Sequence, residues 1–271
     1  MFCALSRRVA AFGIVVGLLA SAGGGLCLAE EPAAPESRTA DSTEISSQKH
    51  SAKEADSSGS GSRLPPPKEA KPMPKSDQVW VDAKRGEVLM DGYVSLREGY
   101  LEMFACLVGT KEHESVVAVA CPAQVVHAAL LAVGAKPGRP VQFHPEFAPP
   151  SGTTIDVQVR WLESDGKWKS SAAQQWIKQV ASGKPMKESW VFAGSGFWKH
   201  PETNEQIYMA EAGDFICVSN FSTAMLDIPV PSSQVNDGLL FEANTEQIPP
   251  LGTPVRVVLK PQLKKQPKEK P

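Results

Sequence analysis

Cysteine and histidine are scarce in this sequence, and neither occurs in a spacing typical of a metal or redox site. The chain has 5 Cys and 5 His in 271 residues. It contains no C-x-x-C pair, which argues against an iron–sulphur cluster, a zinc ribbon and a thioredoxin-type redox pair. No two histidines have the H-x-x-x-H spacing of a helical metal site. We therefore expect no iron–sulphur cluster, and the identity of any other cofactor stays open.

An excess of basic residues is also missing. The formal net charge is −2, and residues 77–259 alone contain 21 acidic and 14 basic side chains, a net charge of −7. The lysine-rich residues 261–271 mask this acidity in the average. An acidic domain repels the phosphate backbone of nucleic acids, so we expect no nucleic-acid partner.

Residues 1–29 have the pattern of an export signal. Arg7 and Arg8 precede an uncharged apolar run over residues 9–22. Cys27 and Ala29 occupy the −3 and −1 positions of a signal peptidase site, which predicts cleavage after Ala29. The alternative is an uncleaved N-terminal anchor, because the uncharged run approaches the length that spans a bilayer. In both cases we expect an exported protein, periplasmic or extracellular, and a membrane contact only through this segment if it stays uncleaved.

Phe, Tyr and Trp are absent from residues 30–76, which are rich in Pro, Ser, Lys and Glu. Too little apolar surface is present to offset chain entropy, so these residues are predicted to form a disordered linker. Within it, residues 64–67 (Leu-Pro-Pro-Pro) predict a stiff polyproline II stretch. Residues 261–271 are predicted to be a disordered basic tail. The folded domain is therefore placed at residues 77–260, with a single core.

Alternation of apolar and polar residues dominates residues 77–260. In residues 154–162, Ile155, Val157 and Val159 alternate with polar side chains, which predicts a half-buried strand. Residues 164–167 (Ser-Asp-Gly-Lys) then predict a hairpin turn before a return strand from Trp168. Further strands are predicted at residues 88–96, 100–108, 115–120, 190–197, 206–210, 214–219, 239–243 and 255–259.

Two helices are predicted among these strands. Residues 122–133 begin with a proline and are apolar almost all round, so this helix is expected to be buried. Residues 172–181 place Ala173, Trp176, Ile177 and Val180 on one helical face. The predicted fold class is α+β: a mostly antiparallel β-sheet, arranged as a sandwich or half-barrel, with two short helices.

Residues 106–115 form the densest polar run of the chain. The candidate functional residues there are Cys106, Lys111, Glu112, His113, Glu114 and Ser115. One hypothesis is a catalytic site in which Cys106 or His113 reacts and Glu114 orients the imidazole. Adjacent side chains point in opposite directions on an extended chain, which weakens this dyad, and no catalytic residue is assigned. Glu112 and Glu114 would share a face and, with His113, are weak candidates for cation ligands. The alternative is a charged hairpin loop.

Two other features have simpler structural interpretations. His127 lies in the first predicted helix and is expected to be a hydrogen-bonded core histidine. Residues 193–197 (Ala-Gly-Ser-Gly-Phe) lack the first glycine of a G-x-S-x-G nucleophile elbow. Their glycines are expected to bend a strand while the flanking aromatic side chains pack.

Four separate motifs carry a resemblance to a known family. They are residues 111–115 (KEHES), 190–198 (WVFAGSGFW), 216–221 (ICVSNF) and 224–229 (AMLDIP). Together they resemble the YdjY-type domain of exported bacterial proteins, notably of planctomycetes, over residues 79–260. The resemblance implies no established activity. Some members attach an iron–sulphur module, for which this chain has no cysteine set.

The resemblance also bears on the cysteines and on the polar run. After signal cleavage Cys106, Cys121 and Cys217 remain, an odd number that leaves at least one thiol unpaired in a monomer. The resemblance implies a role for Cys106 and residues 113–115. It also makes Cys106 with Cys217 the preferred pair if a disulfide forms.

These observations favour an exported cell-envelope module that binds an unknown ligand or protein without catalysis. No motif has the spacing that a known mechanism requires, so the sequence leans away from an enzyme. The alternative is an enzyme, or a redox or metal-binding protein, that uses residues 106–115.

Overall fold

The computed structural model describes residues 63–232 and 238–263. The predicted signal peptide, residues 30–62 of the predicted linker and residues 264–271 of the predicted tail lie outside these ranges. The described part contains one α-helix, α1 (Ala123–Ala132), and three short 3₁₀ helices, η1 (Glu112–Glu114), η2 (Ala173–Trp176) and η3 (Met209–Ala212). Its strands are β1 (Lys71–Pro72), β2 (Val79–Asp82), β3 (Glu87–Val94), β4 (Met103–Leu107), β5 (Ser115–Val119), β6 (Pro137–Arg139), β7 (Ser151–Gly152), β8 (Thr154–Leu162), β9 (Trp168–Ala172), β10 (Ile177–Gln179), β11 (Trp190–Phe192), β12 (Phe197–Lys199), β13 (Gln206–Tyr208), β14 (Ile216–Cys217), β15 (Leu226–Asp227), β16 (Phe241–Ala243) and β17 (Pro254–Pro261).

Eight of these strands close into a barrel. Their order is β3-β17-β8-β11-β15-β14-β4-β5, and β5 pairs back onto β3. Most neighbours are antiparallel, while β4–β5 and β14–β15 are parallel. The first half of β3 pairs with β2 whereas its second half pairs with β5, and β1 extends the sheet beyond β2. In addition, β9 pairs with β8. The β-rich prediction is confirmed, and closure of the sheet makes the architecture a full barrel.

Alternation along the longest strands fills the barrel. Val255, Val257 and Leu259 of β17 are buried in the main apolar cluster together with Ile155 and Val159 of β8. The intervening residues, Arg256 and Val258, lie on the outer face of the barrel. There Val258 packs on Trp80 of β2, and Arg256 contacts Trp168 of β9. The predicted strand over residues 154–162 and its hairpin are confirmed as β8 and β9.

The predicted helix over residues 172–181 is wrong. Those residues form the end of β9, the short turn η2 and β10. Trp176 is fully buried with its ring centroid 5.4 Å from that of Trp161, and Ile177 pairs with Ala243 of β16. The apolar pattern is too short to separate a helix from a turn and strand, and pairing with β16 decides the outcome.

The helix over residues 122–133 is confirmed as α1, but only one side of it is buried. Ala123, Val126, Ala129 and Leu130 pack against the domain, whereas Leu131 is 47% exposed. Glu211 in η3 caps this helix, because its carboxylate accepts hydrogen bonds from the amides of Ala123 and Gln124 at 3.1 and 2.9 Å. In the part of the chain that the structure describes, no helix is long and apolar enough to cross a membrane.

Residues 63–76, assigned to the linker by composition, lie along the sheet. Leu64 is 8% exposed, and Lys71 in β1 pairs with Val81 in β2. At the other end, β17 continues to Pro261. Strand pairing among the described residues therefore begins before residue 77, at β1, and ends at Pro261.

We predict that Gly92→Ala strongly destabilises the protein. Gly92 pairs with Val255 of β17 and with Val119 of β5, and a Cβ atom there would lie 2.2 Å from the carbonyl oxygen of Ala118. The backbones of β3 and β5 must separate to admit it, which should cost about 2–3 kcal/mol of unfolding free energy in a denaturant titration.

The matched control is Gly86→Asn. Gly86 has φ +64° and no atom within 4 Å of a Cβ position, and Asn tolerates that conformation. A change of about 0.5 kcal/mol or less is expected there. Equal effects of the two substitutions would show that strand contact at Gly92 is not the cause.

Candidate functional site

Lys111 is the centre of a polar cluster beside the end of β4. Its Nζ lies 2.9 Å from Asp214 Oδ1 and 4.4 Å from the centroid of the Phe221 ring. The hydroxyl of Thr223 donates to the other oxygen of Asp214. Because Asp214 is buried, this ion pair fixes the loop before β5 against the segment around β14.

Two more carboxylates approach the same ammonium group. Glu114 Oε1 lies 3.8 Å from Lys111 Nζ, and Glu102 lies next to Glu114. Burial, followed by the charge of Glu114, raises the pKa of Glu102 above its usual range. Burial lowers the pKa of Lys111, but Asp214 and the two glutamates raise it by more, so this lysine stays protonated.

Glu112 and Ser115 serve the local backbone. Glu112 Oε2 accepts a hydrogen bond from the Tyr93 hydroxyl at 2.9 Å, and its Oε1 accepts one from the amide of Gly109 at 2.7 Å. Burial and then the contact with Glu112 raise the pKa of Tyr93 to about 12. Ser115 is fully buried and its hydroxyl donates to the carbonyl of Lys111 at 2.7 Å. These contacts hold the loop in place and leave neither side chain free to react.

His113 does not join the cluster. Its side chain is 78% exposed, and its Nε2 lies 3.8 Å from Glu114 Oε2, which is too long for a hydrogen bond. Glu112 and Glu114 do not share a face, because η1 winds the chain between them. Within residues 63–232 and 238–263, no three His, Cys, Asp or Glu side chains are placed to hold a metal ion together. The arrangement therefore does not support the cation site suggested for Glu112, His113 and Glu114.

The thiols are free and buried. Cys106, Cys121 and Cys217 are unpaired in the structure, so the conditional Cys106–Cys217 disulfide is not formed in it. The register of β14 on β4 places Cys217 opposite Met103 and not opposite Cys106. Burial raises the pKa of each of the three thiols, although the neighbouring Ser115 and Thr110 side chains partly counter this rise at Cys106.

A second polar group lies on the other side of Cys217. Asn220 donates through Nδ2 to Asp227 Oδ1 and to the carbonyl of Ile228, each at 3.0 Å. Asp227 is fully buried, and its Oδ2 has no hydrogen-bond partner among the described residues. Burial raises the pKa of Asp227 to about 7.

His127 belongs to a third arrangement, at the base of the β12–β13 hairpin. Its Nδ1 lies 2.8 Å from the hydroxyl of Tyr208, which itself donates to the carbonyl of Gly194 at 3.0 Å. Because that hydroxyl has one proton, the imidazole must donate through Nδ1. Burial lowers the pKa of His127, so the neutral ring is favoured. The sequence interpretation of a hydrogen-bonded histidine agrees with this contact.

Ser195 is positioned by its backbone and does not form a nucleophile elbow. It adopts φ +54°, and its hydroxyl donates to the carbonyl of Thr223 at 2.6 Å. The neighbouring Gly194 has φ +94°, and a Cβ there would lie 2.7 Å from Pro137 Cβ. The glycine-containing turn after β11 therefore bends the chain, as the sequence predicts.

The prediction that the flanking aromatic residues pack is wrong for two of them. Trp190 and Phe192 are fully buried, but Phe197 and Trp198 are 53% and 47% exposed. The reason is that residues 190–197 do not form one strand: β11 ends at Phe192, and β12 starts a separate hairpin with β13.

The four sequence motifs meet in space. Trp190 Nε1 donates to the carbonyl of Cys217 at 2.8 Å, and Val191 pairs with Asp227 across β11–β15. Lys111 and Phe221 bring the first motif to the third through their cation–π contact. Glu102, Asp214 and Thr223 complete the cluster but were missed by sequence reasoning, because nothing in their spacing links them to Lys111.

The described residues thus define a closed, mostly antiparallel barrel with a densely connected polar cluster on one side. The model of the YdjY domain family matches residues 79–260, so the chain belongs to the YdjY domain family. No match was found among curated proteins or among solved structures.

We predict that the folded protein protects all three thiols from alkylation. Burial and raised pKa values keep Cys106, Cys121 and Cys217 protonated and out of reach of reagent. Iodoacetamide at pH 8, followed by peptide mass spectrometry, should label none of the three in the native protein and all of them in guanidinium chloride. Rapid native labelling of Cys106 would contradict the buried position and would favour a reactive thiol.

A second prediction concerns pH. Asp227 has a folded pKa near 7 and an unfolded value near 3.8, so the folded state holds its proton between these values while the unfolded state does not. The free energy of unfolding should therefore fall as pH rises from about 4 to 7, by up to about 1.4 kcal/mol per pH unit.

Asp227→Asn should remove this component while keeping an oxygen acceptor for Asn220. The free energy of unfolding of the variant, measured relative to wild type in urea titrations, should rise by about 2 kcal/mol between pH 5 and pH 8. Asp77→Asn, at a side chain that is 78% exposed, is the control. A difference between Asp227→Asn and wild type that stays constant with pH would show that Asp227 does not titrate in this range.

Proposed function

We propose that this protein is a non-catalytic binding module that is exported to the cell envelope and engages its partner through the β12–β13 hairpin. The observation that carries the proposal is the exposure of Phe197, Trp198 and Ile207 on this hairpin, at 53%, 47% and 38%. Two of the three belong to the motif over residues 190–198, and packing inside the domain does not account for them.

The β12–β13 hairpin presents large side chains to solvent. Trp198 lies directly opposite Ile207, and Phe197 lies opposite Tyr208, so large side chains occupy both of its faces. Of the six paired residues, all except Tyr208 are exposed. Exposed aromatic side chains in a cluster are typical of interaction sites, because they supply large contact area at a small cost in side-chain entropy.

The base of the hairpin is held in a fixed position. Tyr208 is 3% exposed and is hydrogen-bonded to Gly194 and His127, and the amide of Met209 donates to the carbonyl of Gly196 at 2.9 Å. A two-stranded ribbon is only marginally stable alone, so these anchors are what present the aromatic side chains. A preorganised surface of this kind loses little entropy when it binds.

The alternative function, an enzyme or redox protein using residues 106–115, has weaker support. A cysteine nucleophile needs an accessible thiolate, whereas Cys106 is buried with a raised pKa. Lys111 and Glu112 are engaged in contacts that hold the loop. His113 is accessible, but no hydrogen-bonded acid orients it.

The binding proposal is tested by sedimentation of the purified protein with isolated Gram-negative cell envelopes and, separately, with peptidoglycan sacculi. Wild type should sediment with at least one of these, and Phe197→Ser/Trp198→Ser should reduce the bound fraction at least fivefold. The hairpin side chains are exposed, so the melting temperature should stay close to that of wild type.

Leu251→Ser is the control, because Leu251 is 63% exposed in the turn before β17, outside the hairpin, and the substitution also removes an exposed apolar side chain. Equal loss of binding in both variants would point to general hydrophobic adhesion. No sedimentation of wild type with either preparation would contradict an envelope partner.

A further inference from the structure

A groove runs along the outer face of the sheet over β2, β3 and β17. Its floor is a small apolar group formed by Trp80 of β2, Leu89 of β3 and Val258 of β17. Cross-strand pairing aligns these three residues in one row, because Trp80 pairs with Leu89 and Leu89 with Val258. Trp168 of β9 stands at the far side of the groove and is 46% exposed.

Arg256 is the polar centre of this groove. It is 4% exposed and makes a two-point contact with Asp91, with Nε–Oδ1 at 2.6 Å and Nη2–Oδ2 at 2.8 Å. Its guanidinium carbon lies 5.2 Å from the Trp80 ring and 5.7 Å from the Trp168 ring. The guanidinium is therefore fixed and neutralised by Asp91, and the second N–H of Nη2 stays available to a backbone above it.

The chain's own residues 64–70 occupy the groove as a strap. Arg256 Nη2 donates to the carbonyl of Pro65 at 3.0 Å, and Ala70 packs on the apolar row. Burial follows a period of three: Leu64 is buried and residues 67, 70 and 73 are partly buried, while the residues between them are exposed. Between Leu64 and Pro67 this spacing matches a polyproline II helix, which has three residues per turn, and a turn at Lys68 and Glu69 then leads into β1.

The strap fills the groove incompletely. A cavity of about 460 Å³ lies between the strap, Arg160 and Trp168, and another of about 640 Å³ lies between the strap, Tyr93 and Pro254. Pro65 and Pro66 border both cavities and are themselves exposed. The strap is thus held at separate points: by every third residue, by the hydrogen bond to Pro65, and by an exposed ion pair between Glu69 and Arg85 at 3.2 Å.

We propose that this groove is a recognition site for an extended, proline-rich segment of another polypeptide, and that residues 64–70 occupy it in cis until such a segment displaces them. Aromatic rings beside a fixed donor that is aimed at a backbone carbonyl are features that bind polyproline II segments, whose stiffness limits the entropy lost on docking. The strap continues directly into β1, so its effective concentration at the groove is high. A competing segment must bind tightly enough to overcome that concentration.

The first experiment releases the strap in the full chain with Leu64→Asp, which places a charge at its most buried position. The probe is a fluorescent peptide of residues 60–70, and binding is followed by anisotropy. The released chain should bind it at least tenfold more tightly than wild type does. The released chain should also bind the unmodified peptide at least tenfold more tightly than the same peptide carrying Leu64→Asp. A folded released chain that binds neither peptide, or both equally, would overturn the proposal.

The second experiment does not depend on that variant folding. Trypsin cleavage after Lys68 reports how often the strap leaves the groove. Pro65→Gly/Pro66→Gly removes stiffness but no buried contact, and it should accelerate this cleavage at least fivefold. Pro74→Gly, at an exposed proline after β1, should leave it unchanged. Equal rates in the two variants would overturn the proposal, and neither experiment involves the β12–β13 hairpin.

Discussion

Closure of the barrel at β3 is the constraint on which the other features depend. Gly92 pairs with β17 on one side and with β5 on the other, and the close approach of Ala118 leaves no space for a side chain. Because β5 is parallel to its other neighbour β4, the connection between them must return along the barrel, and that return carries Lys111 to Asp214. The β3–β17 pairing likewise places Arg256 beside Asp91 on the outer face. The polar cluster and the groove are thus two consequences of one closure.

The polar cluster itself is mainly structural. Buried charges are costly unless they are paired, and Lys111 meets this condition by contacting Asp214 while stacking on Phe221. Asp227 avoids this cost in another way, because its raised pKa keeps its carboxyl group protonated and neutral below about pH 7. Four motifs that are distant in the chain converge here, so the cluster fixes how β4, β11, β14 and β15 assemble. Lys111, Asp214 and Thr223 are therefore engaged in contacts that hold this assembly together.

Local pattern predicted the long strands well, because period-two alternation survives wherever one face is buried, as in β8. It failed at residues 172–181, where the helical spacing of Ala173 and Trp176 is also compatible with a turn that inserts Trp176 into the core. It also assigned residues 63–76 to a linker, since composition cannot show that Leu64 and Ala70 rest on a sheet formed by distant residues. For the site, the sequence identified Lys111 and Cys106 but not Asp214, whose contact exists only after closure.

The two candidate surfaces differ in what binding must overcome. At the β12–β13 hairpin, Phe197 and Trp198 already face solvent, so a partner gains free energy from burying apolar area without displacing any described part of the protein. At the groove, Arg256 already donates a hydrogen bond to the carbonyl of Pro65. Any competitor must replace that hydrogen bond and the apolar contact made by the buried Leu64 side chain. Binding at the hairpin should therefore depend on the partner alone, whereas binding at the groove depends also on how firmly the strap is held. A partner that engaged both surfaces would bind the hairpin first and the groove only once its local concentration exceeded that of the strap.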